Sequence, residues 1–118
     1  MEYRLVFYQD ERGRSQPLDY LKSLKPKHEA KAKKWMQLLM EEGPNLPRPY
    51  ADMLEHGIRE LRVPIEHHQH RFLYAIRDKV IVVTNAFLKK SQEVPQAEID
   101  RARKAYADWV NRRGWEQA

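Results

Sequence analysis

Basic side chains are concentrated in one segment of the sequence, between Ile58 and Lys90. Seven arginines and lysines stand there against three acidic residues, which gives this segment +4 of the formal net charge of +5. The seven are Arg59, Arg62, Arg71, Arg77, Lys79, Lys89 and Lys90, and the acids are Glu60, Glu66 and Asp78. Guanidinium and ammonium groups gathered in one place bind phosphate oxygens, because the guanidinium fork fits them bidentately. Such a balance is typical of a protein with a polyanionic partner, although many small basic proteins bind no nucleic acid.

The spacing of two arginines predicts where they meet. If residues 58–63 and 71–77 pair as an antiparallel hairpin, Arg62 and Arg71 share one face, because side chains alternate and opposed residues point the same way. That face carries Glu60, Arg62, Arg71, Leu73, Ala75 and Arg77, and the other carries Leu61, Val63, Phe72, Tyr74 and Ile76. A register slipped by one residue would bury an unpaired arginine, which is energetically poor. With a two-residue turn at Asp78-Lys79, Thr84 and Ala86 lie beside the arginines. In the alternative interpretation, Arg62 merely pairs with Glu60 on a solvated surface.

Three histidines stand within four residues: His67, His68 and His70. Imidazoles in such a group could bind a transition metal, or serve as acid and base near neutral pH. If the segment is extended, His68 and His70 share a strand face. No cysteine and no acidic neighbour other than Glu66 completes a metal site, so neither a metal nor another cofactor is predicted. The interpretation that we favour is an exposed hairpin end in contact with nucleic acid.

Length and composition limit the class of protein. The 118 residues fit a single domain, residues 1–118, with 42% hydrophobic and 33% charged residues. Cysteine is absent, which excludes disulfides, thiolate chemistry and cysteine-based zinc sites. No apolar run reaches the roughly 18 residues of a membrane span, and the N-terminal segment, with Glu2 and Asp10, does not resemble a secretory signal. We therefore expect a cytoplasmic protein.

Hydrophobic periodicity predicts the elements that position these residues. The first half is expected to contain a strand at Tyr3–Tyr8, a short helix over about Leu18–Leu24, a longer helix after Pro26 to about Glu42, and a proline-rich loop over 43–49. The second half is expected to contain one helical turn at Tyr50–Glu55, strands at Ile58–Val63, Arg71–Arg77 and Val80–Leu88, and a helix from near Pro95 to about Arg113.

The order β-α-α-β-β-β-α predicts an α+β fold. We expect an antiparallel (mixed) four-stranded sheet with the helices packed on one face. Parity with Ile81 and Val83 assigns Phe87 to the core, and Pro95 is interpreted as the start of the last helix.

Three motifs in the second half resemble a known family. They are Gly57-Ile58-Arg59-Glu60-Leu61-Arg62, then Arg71-Phe72-Leu73-Tyr74, then Ala86-Phe87-Leu88-Lys89-Lys90-Ser91-Gln92-Glu93-Val94-Pro95. Together they are similar to the signature of HigB-like toxins, in the branch of the RelE/ParE superfamily that includes phage-derived homologues. The chain departs from that signature at Ser91, where threonine is common, and at His70, where an aromatic residue usually precedes the arginine.

The resemblance implies the toxin of a type II toxin–antitoxin system, an endoribonuclease that cuts messenger RNA on the ribosome and inhibits translation. By similarity, Arg62 and Arg71 would stabilise the phosphate, and Lys89 or Lys90 would add positive charge or transfer a proton. The auxiliary candidates for contact with RNA are Arg77, Tyr74, His68 and His70, although parity places Tyr74 on the core side.

The resemblance also implies partners and leaves alternatives open. Expected partners are the ribosome, messenger RNA and a cognate antitoxin with a helix-turn-helix domain encoded by a neighbouring gene. The alternatives are a ParE-like toxin that binds DNA gyrase without catalysis, and an inactive phage-derived interaction protein. Arg62, Arg71 and the Lys89-Lys90 pair occur together, which favours the nuclease, because binding to gyrase requires no phosphate-cutting cluster.

Overall fold

The structure is a computed structural model that describes residues 2–113. Its helices are α1 (Gln16–Ser23), α2 (Pro26–Glu42) and α3 (Gln96–Arg113), with a 3-10 turn at Gly43–Asn45. Its strands are β1 (Arg4–Phe7), β2 (Ala51–Met53), β3 (Arg59–Ile65), β4 (His68–Arg77) and β5 (Val80–Lys89). The α+β class and the predicted helices and long strands are confirmed. Across residues 2–113, no helix combines the length and the apolar character that a bilayer crossing requires.

The sheet has five strands, in the order β1-β5-β4-β3-β2, so the predicted number of four is wrong. Strand β1 runs parallel to β5, and the other neighbours are antiparallel. The predicted helical turn at Tyr50–Glu55 is wrong, because Ala51–Met53 forms an edge strand on β3 with Ala51 opposite Leu61. A segment of three residues carries no periodicity that distinguishes strand from helix, so its conformation depends on the neighbouring strand.

The helices cover both faces of the sheet, so the expectation that they pack on one face is wrong. Helices α1 and α2 bury Leu21, Ala32, Met36 and Leu39 against the face that carries Leu61, Val63, Phe72 and Tyr74. Helix α3 packs on the opposite face, where Ala102 meets Ile58, Leu73 and Ala75, and Trp109 meets Val80 and Val82. Strands β4 and β5 have apolar residues at consecutive positions, the pattern of strands buried on both sides.

A β-bulge at Thr84 changes which residues of β5 face the arginines. Leu73 lies opposite Asn85, whereas Tyr74 lies opposite Val83, so Thr84 is the extra residue. Beyond the bulge the alternation is reversed. Ala86 therefore faces the α1–α2 core, and Phe87 lies opposite Arg71 on the face of α3. The predicted parity of Phe87 with Ile81 and Val83 is wrong, as is the placement of Thr84 and Ala86 beside the arginines.

Gly43 ends α2, and replacing it should be costly. Its backbone has a φ of 56° and a ψ of −130°, and an added Cβ would overlap the ring of Tyr3. We expect Gly43→Ala to lower the free energy of unfolding by about 2 kcal/mol, because backbone strain and overpacking act together. In urea denaturation, Gly13→Ala is the matched control, since φ there is +78° but a Cβ meets open space. An equal loss in both variants would contradict the predicted clash.

Candidate nucleic-acid interface

The predicted arginine pair is formed by the pairing of β3 with β4. Arg62 lies directly opposite Arg71, and Gln69 lies opposite Lys89 of β5. Because alternate residues of a strand share a face, Arg62, Arg71 and Lys89 project from the same side of the sheet. We call these three residues, with Lys90 directly after β5, the basic sheet end. Strand alternation on the two halves of the hairpin is what brings the two arginines together.

Buried and half-buried carboxylates neutralise part of this charge. The Nε atom of Arg71 lies 2.9 Å from Oε1 of Glu60, and the two residues are only 5% and 3% exposed. Nη2 of Arg62 lies 3.1 Å from Oδ2 of Asp52 and 3.6 Å from Oε2 of Glu60. Arg48 also pairs with Asp52, at 2.9 Å. The Arg62–Glu60 pair of the alternative interpretation is therefore present, but its solvated surface is wrong, because Glu60 is buried. Asp52 is an additional partner of Arg62 that the sequence did not reveal.

The hydrogen bonding of the two guanidinium groups is incomplete. Despite the short Arg71–Glu60 contact, the Nε–H of Arg71 is not aligned with Oε1, and Nε of Arg62 has no hydrogen-bond partner among residues 2–113. Burial lowers the pKa of Arg71, while the charge of Glu60 acts in the opposite direction. The side chain of Arg62 is 28% exposed. In this conformation Arg62 can reach a ligand, whereas Arg71 holds Glu60 in place.

The two lysines face different surroundings. Lys89 is half-buried and Lys90 is exposed, and neither forms an ion pair within the described part of the chain. Lys90 lines a cleft of about 960 Å³ between α1 and α3, at the edge of β5 that β1 leaves uncovered. In this cleft the side-chain amide of Gln16 donates to the carbonyl of Ala86 and accepts from its N–H, at 2.7 and 2.8 Å.

Two predicted auxiliary residues lie away from the basic sheet end. Tyr74 is 1% exposed on the α1–α2 face, and burial raises its pKa to about 12. Arg77 is exposed at the far end of β4, opposite Val80. Arg77 lies six positions along the strand from Arg71, a distance of about 20 Å. Neither Tyr74 nor Arg77 therefore lies close to the basic sheet end.

The predicted exposed hairpin end is confirmed for His67 and His68 but is wrong for His70. Because Ile65 pairs with His68, only Glu66 and His67 form the turn. His68 is exposed, but His70 is only 7% exposed, and its Nδ1 lies 2.5 Å from the hydroxyl oxygen of Tyr20. No group of three or more potential metal ligands occurs within residues 2–113. No pattern in the sequence indicated that His70 is buried or that Tyr20 of α1 is its partner.

Burial of His70 should make the protein less stable in mild acid. Burial lowers the pKa of folded His70 below its ordinary 6.5, and nearby His68, His28 and Arg71 act in the same direction. Between that lowered value and about 6.5, the unfolded chain binds a proton that the folded chain does not. The free energy of unfolding should therefore fall as the pH drops below about 6.5 and level off below the folded pKa. Urea denaturation of the wild type and of His70→Asn over this pH range tests the prediction. An equal dependence of the free energy of unfolding on pH in the two proteins would contradict it.

Comparison with known proteins gives one family match. The model of the family described as "Phage derived protein Gp49-like (DUF891)" matches residues 19–107, which are 89 of the 118 residues. The match covers the whole basic sheet end and the elements from α1 into α3. None of the curated proteins is similar enough to the chain to count as a match.

Proposed function

Because the chain belongs to the phage-derived Gp49-like family, within the RelE/ParE-like toxin superfamily, we propose that it is a HigB-like toxin that cleaves messenger RNA on the ribosome. The family is associated with toxin–antitoxin pairs, and an antitoxin is the partner that it implies. The observation that carries the nuclease proposal is the direct opposition of Arg62 and Arg71, with Lys89 on the same face.

The charge of this region remains positive after its ion pairs are counted. Its cations are Arg48, Arg62, Arg71, Lys89 and Lys90, and its carboxylates are Asp52 and Glu60. Five positive and two negative charges leave +3. A surface with that excess attracts the phosphate backbone of RNA, and the attraction weakens as salt is added.

The chemistry would be attack of an RNA 2′-hydroxyl on the neighbouring phosphate. Negative charge grows on the phosphoryl oxygens in the transition state, and cations fixed at that position lower the barrier. Arg62, held by Asp52 and Glu60, supplies a guanidinium whose orientation is set before the RNA arrives. Lys89 and Lys90 add ammonium groups at the end of β5, which β4 separates from the strand of Arg62. Arg71 acts by holding Glu60, because it is too buried to reach the phosphate in this conformation.

A toxin that acts on the ribosome works in the cytoplasm and needs an inhibitor there. We infer that a small antitoxin with a helix-turn-helix domain is encoded by a neighbouring gene. In a host without that antitoxin, expression of the chain should arrest growth and produce new messenger ends within translated reading frames. Growth arrest with intact messengers would contradict the nuclease proposal.

One observation favours a second function, that of a ParE-like toxin that binds DNA gyrase without catalysis. Arg62 and Arg71 are both engaged by carboxylates, as expected if they only stabilise the sheet. In that case expression would induce the DNA damage response and leave messengers intact. An inactive interaction protein would cause no growth defect at all.

A further inference from the structure

Phe87 lies on the same face of the sheet as the basic sheet end, and the proposed chemistry gives it no role. It lies directly opposite Arg71, which in turn lies opposite Arg62. Opposed residues of antiparallel strands have Cβ atoms about 5 Å apart, so the three side chains form one row across β3, β4 and β5. Lys89 follows two positions after Phe87, about 7 Å along β5 and on the same face. An aromatic ring therefore lies beside the cations that hold the phosphate in the proposed function.

The bulge at Thr84 is what places Phe87 and Lys89 on this face. With regular alternation along β5, both side chains would point toward α1 and α2. Hydrogen bonds between buried side chains hold the bulge. The Thr84 hydroxyl donates to Oδ1 of Asn85 at 2.7 Å, and the Asn85 amide donates to Oε1 of Glu98 at 3.0 Å. Bulges next to functional sites commonly redirect a side chain, and this one redirects a ring and an ammonium group together.

Phe87 is only half-buried, and it borders the cleft between α1 and α3. It packs against the apolar cluster around Leu73 and Ala102, and it also lines the cleft of about 960 Å³. Lys90 of the basic sheet end lines the same cleft. The ring thus has support from the core and is next to a cavity that begins at the basic sheet end.

The charges of the cleft suit an uncharged ligand group. Its lining contains three cations and three carboxylates, which are Arg14, Lys90, Arg101, Asp10, Asp19 and Glu98. The lining therefore has no net charge to attract a phosphate, whereas the basic sheet end beside it has an excess of positive charge. A nucleobase is uncharged at neutral pH, and its flat face stacks on aromatic side chains. The cleft and the basic sheet end thus fit the two parts of one nucleotide, its base and its phosphate.

We propose that Phe87 binds a nucleobase: a base next to the cleaved phosphate enters the cleft and stacks on the Phe87 ring, while the phosphate lies on the basic sheet end. This inference rests on the proposed ribonuclease function and names the part of the substrate that the cleft takes. Single-stranded RNA can be bound in this way because its unstacked bases are free to turn outward. Since every base has a flat face, Phe87 positions the strand without selecting its sequence.

Phe87→Leu tests the stacking site by cleavage on programmed ribosomes. Leucine keeps an apolar side chain against the α3 cluster but removes the aromatic face. The variant should lower kcat/KM by about 10-fold, within the range that one stacked base contributes. Phe7→Leu is the matched control, because Phe7 is also half-buried but packs on the α1–α2 face and does not line the cleft. The control should cleave with the wild-type kcat/KM.

Messengers that lack single bases separate stacking from support of the fold. An abasic nucleotide is placed at each position of the A-site codon in turn. At one position it should cost the wild type about the same 10-fold, because the ring then has no base to stack on. At that position Phe87→Leu should lose little more, since the variant and the abasic nucleotide remove one and the same interaction.

The outcomes distinguish the role of Phe87 from the ribonuclease function. Wild-type cleavage by Phe87→Leu, or additive losses at every codon position, would overturn the stacking site and leave the ribonuclease function intact. A wild-type rate that no abasic nucleotide changes would do the same, and this result does not depend on how well the variant folds. A wild-type chain that never cleaves would overturn both.

Discussion

Replacing Glu60 by glutamine should lower the free energy of unfolding by about 3 kcal/mol, because it leaves the buried Arg71 charge without its partner. Glu60 and Arg71 are 3% and 5% exposed, and their charged atoms lie 2.9 Å apart. At such depth the loss of one charge costs far more than at a surface pair, where the usual value is about 1 kcal/mol or less. Urea denaturation should show a lower midpoint with an unchanged slope.

The double variant is the control for this claim. Arg71→Met alone should also destabilise, since it leaves the Glu60 carboxylate buried and unpaired. Combining it with Glu60→Gln should recover a good part of the loss, because no uncompensated charge then remains. Additive losses in the double variant, or a loss near zero in Glu60→Gln, would show that the two charges are not coupled.

Replacing Arg62 by alanine should reduce messenger cleavage by about 100- to 1000-fold, the usual cost of removing one group that stabilises transition-state charge. Stability should change by no more than about 1 kcal/mol, because the Arg62 ion pairs are partly solvated. The side chain is 28% exposed, and Glu60 keeps its contact with Arg71 when Arg62 is removed. Single-turnover cleavage and urea denaturation on the same preparation separate the two effects.

Arg103→Ala provides the matched control for charge, since Arg103 is an exposed arginine on α3 away from the basic sheet end. It should cleave at the wild-type rate. Arg62→Lys should recover only part of the activity, because an ammonium lacks the planar fork that fits a phosphate bidentately. Cleavage by Arg62→Ala at the wild-type rate would remove Arg62 from the proposed site.

The sequence alone is enough to predict which face of the sheet a side chain occupies, wherever strand alternation is regular. Arg62 and Arg71 fall on one face because a register slipped by one residue would bury an arginine without a partner. The structure has the predicted register, in which Arg71 is buried together with Glu60. Phe87 is misplaced because a single extra residue at Thr84 reverses the alternation without changing the hydrophobic pattern. The consecutive apolar residues Phe72-Leu73-Tyr74-Ala75 already indicated a strand buried on both faces, and therefore helices on both sides.

Contacts between distant segments could not be predicted from local patterns. His70 is buried by Tyr20, fifty residues earlier in the chain, and nothing in the His67–His70 segment indicates that partner. Asp52 pairs with Arg62 only because Ala51–Met53 joins the sheet as an edge strand. The Tyr20–His70 contact and half of the ion-pair network thus depend on tertiary packing.

The central claim is that a cationic sheet end cuts messenger RNA within the ribosome. Purified chain should be mixed with a defined messenger, either free or bound to ribosomes stalled at a known codon, and the new 5′ ends mapped. We predict cleavage at the codon in the A site of the stalled ribosome, little or none of the free messenger, and protection when salt screens the basic side chains. An intact messenger on the ribosome, with the protein shown to be folded, would contradict the claim.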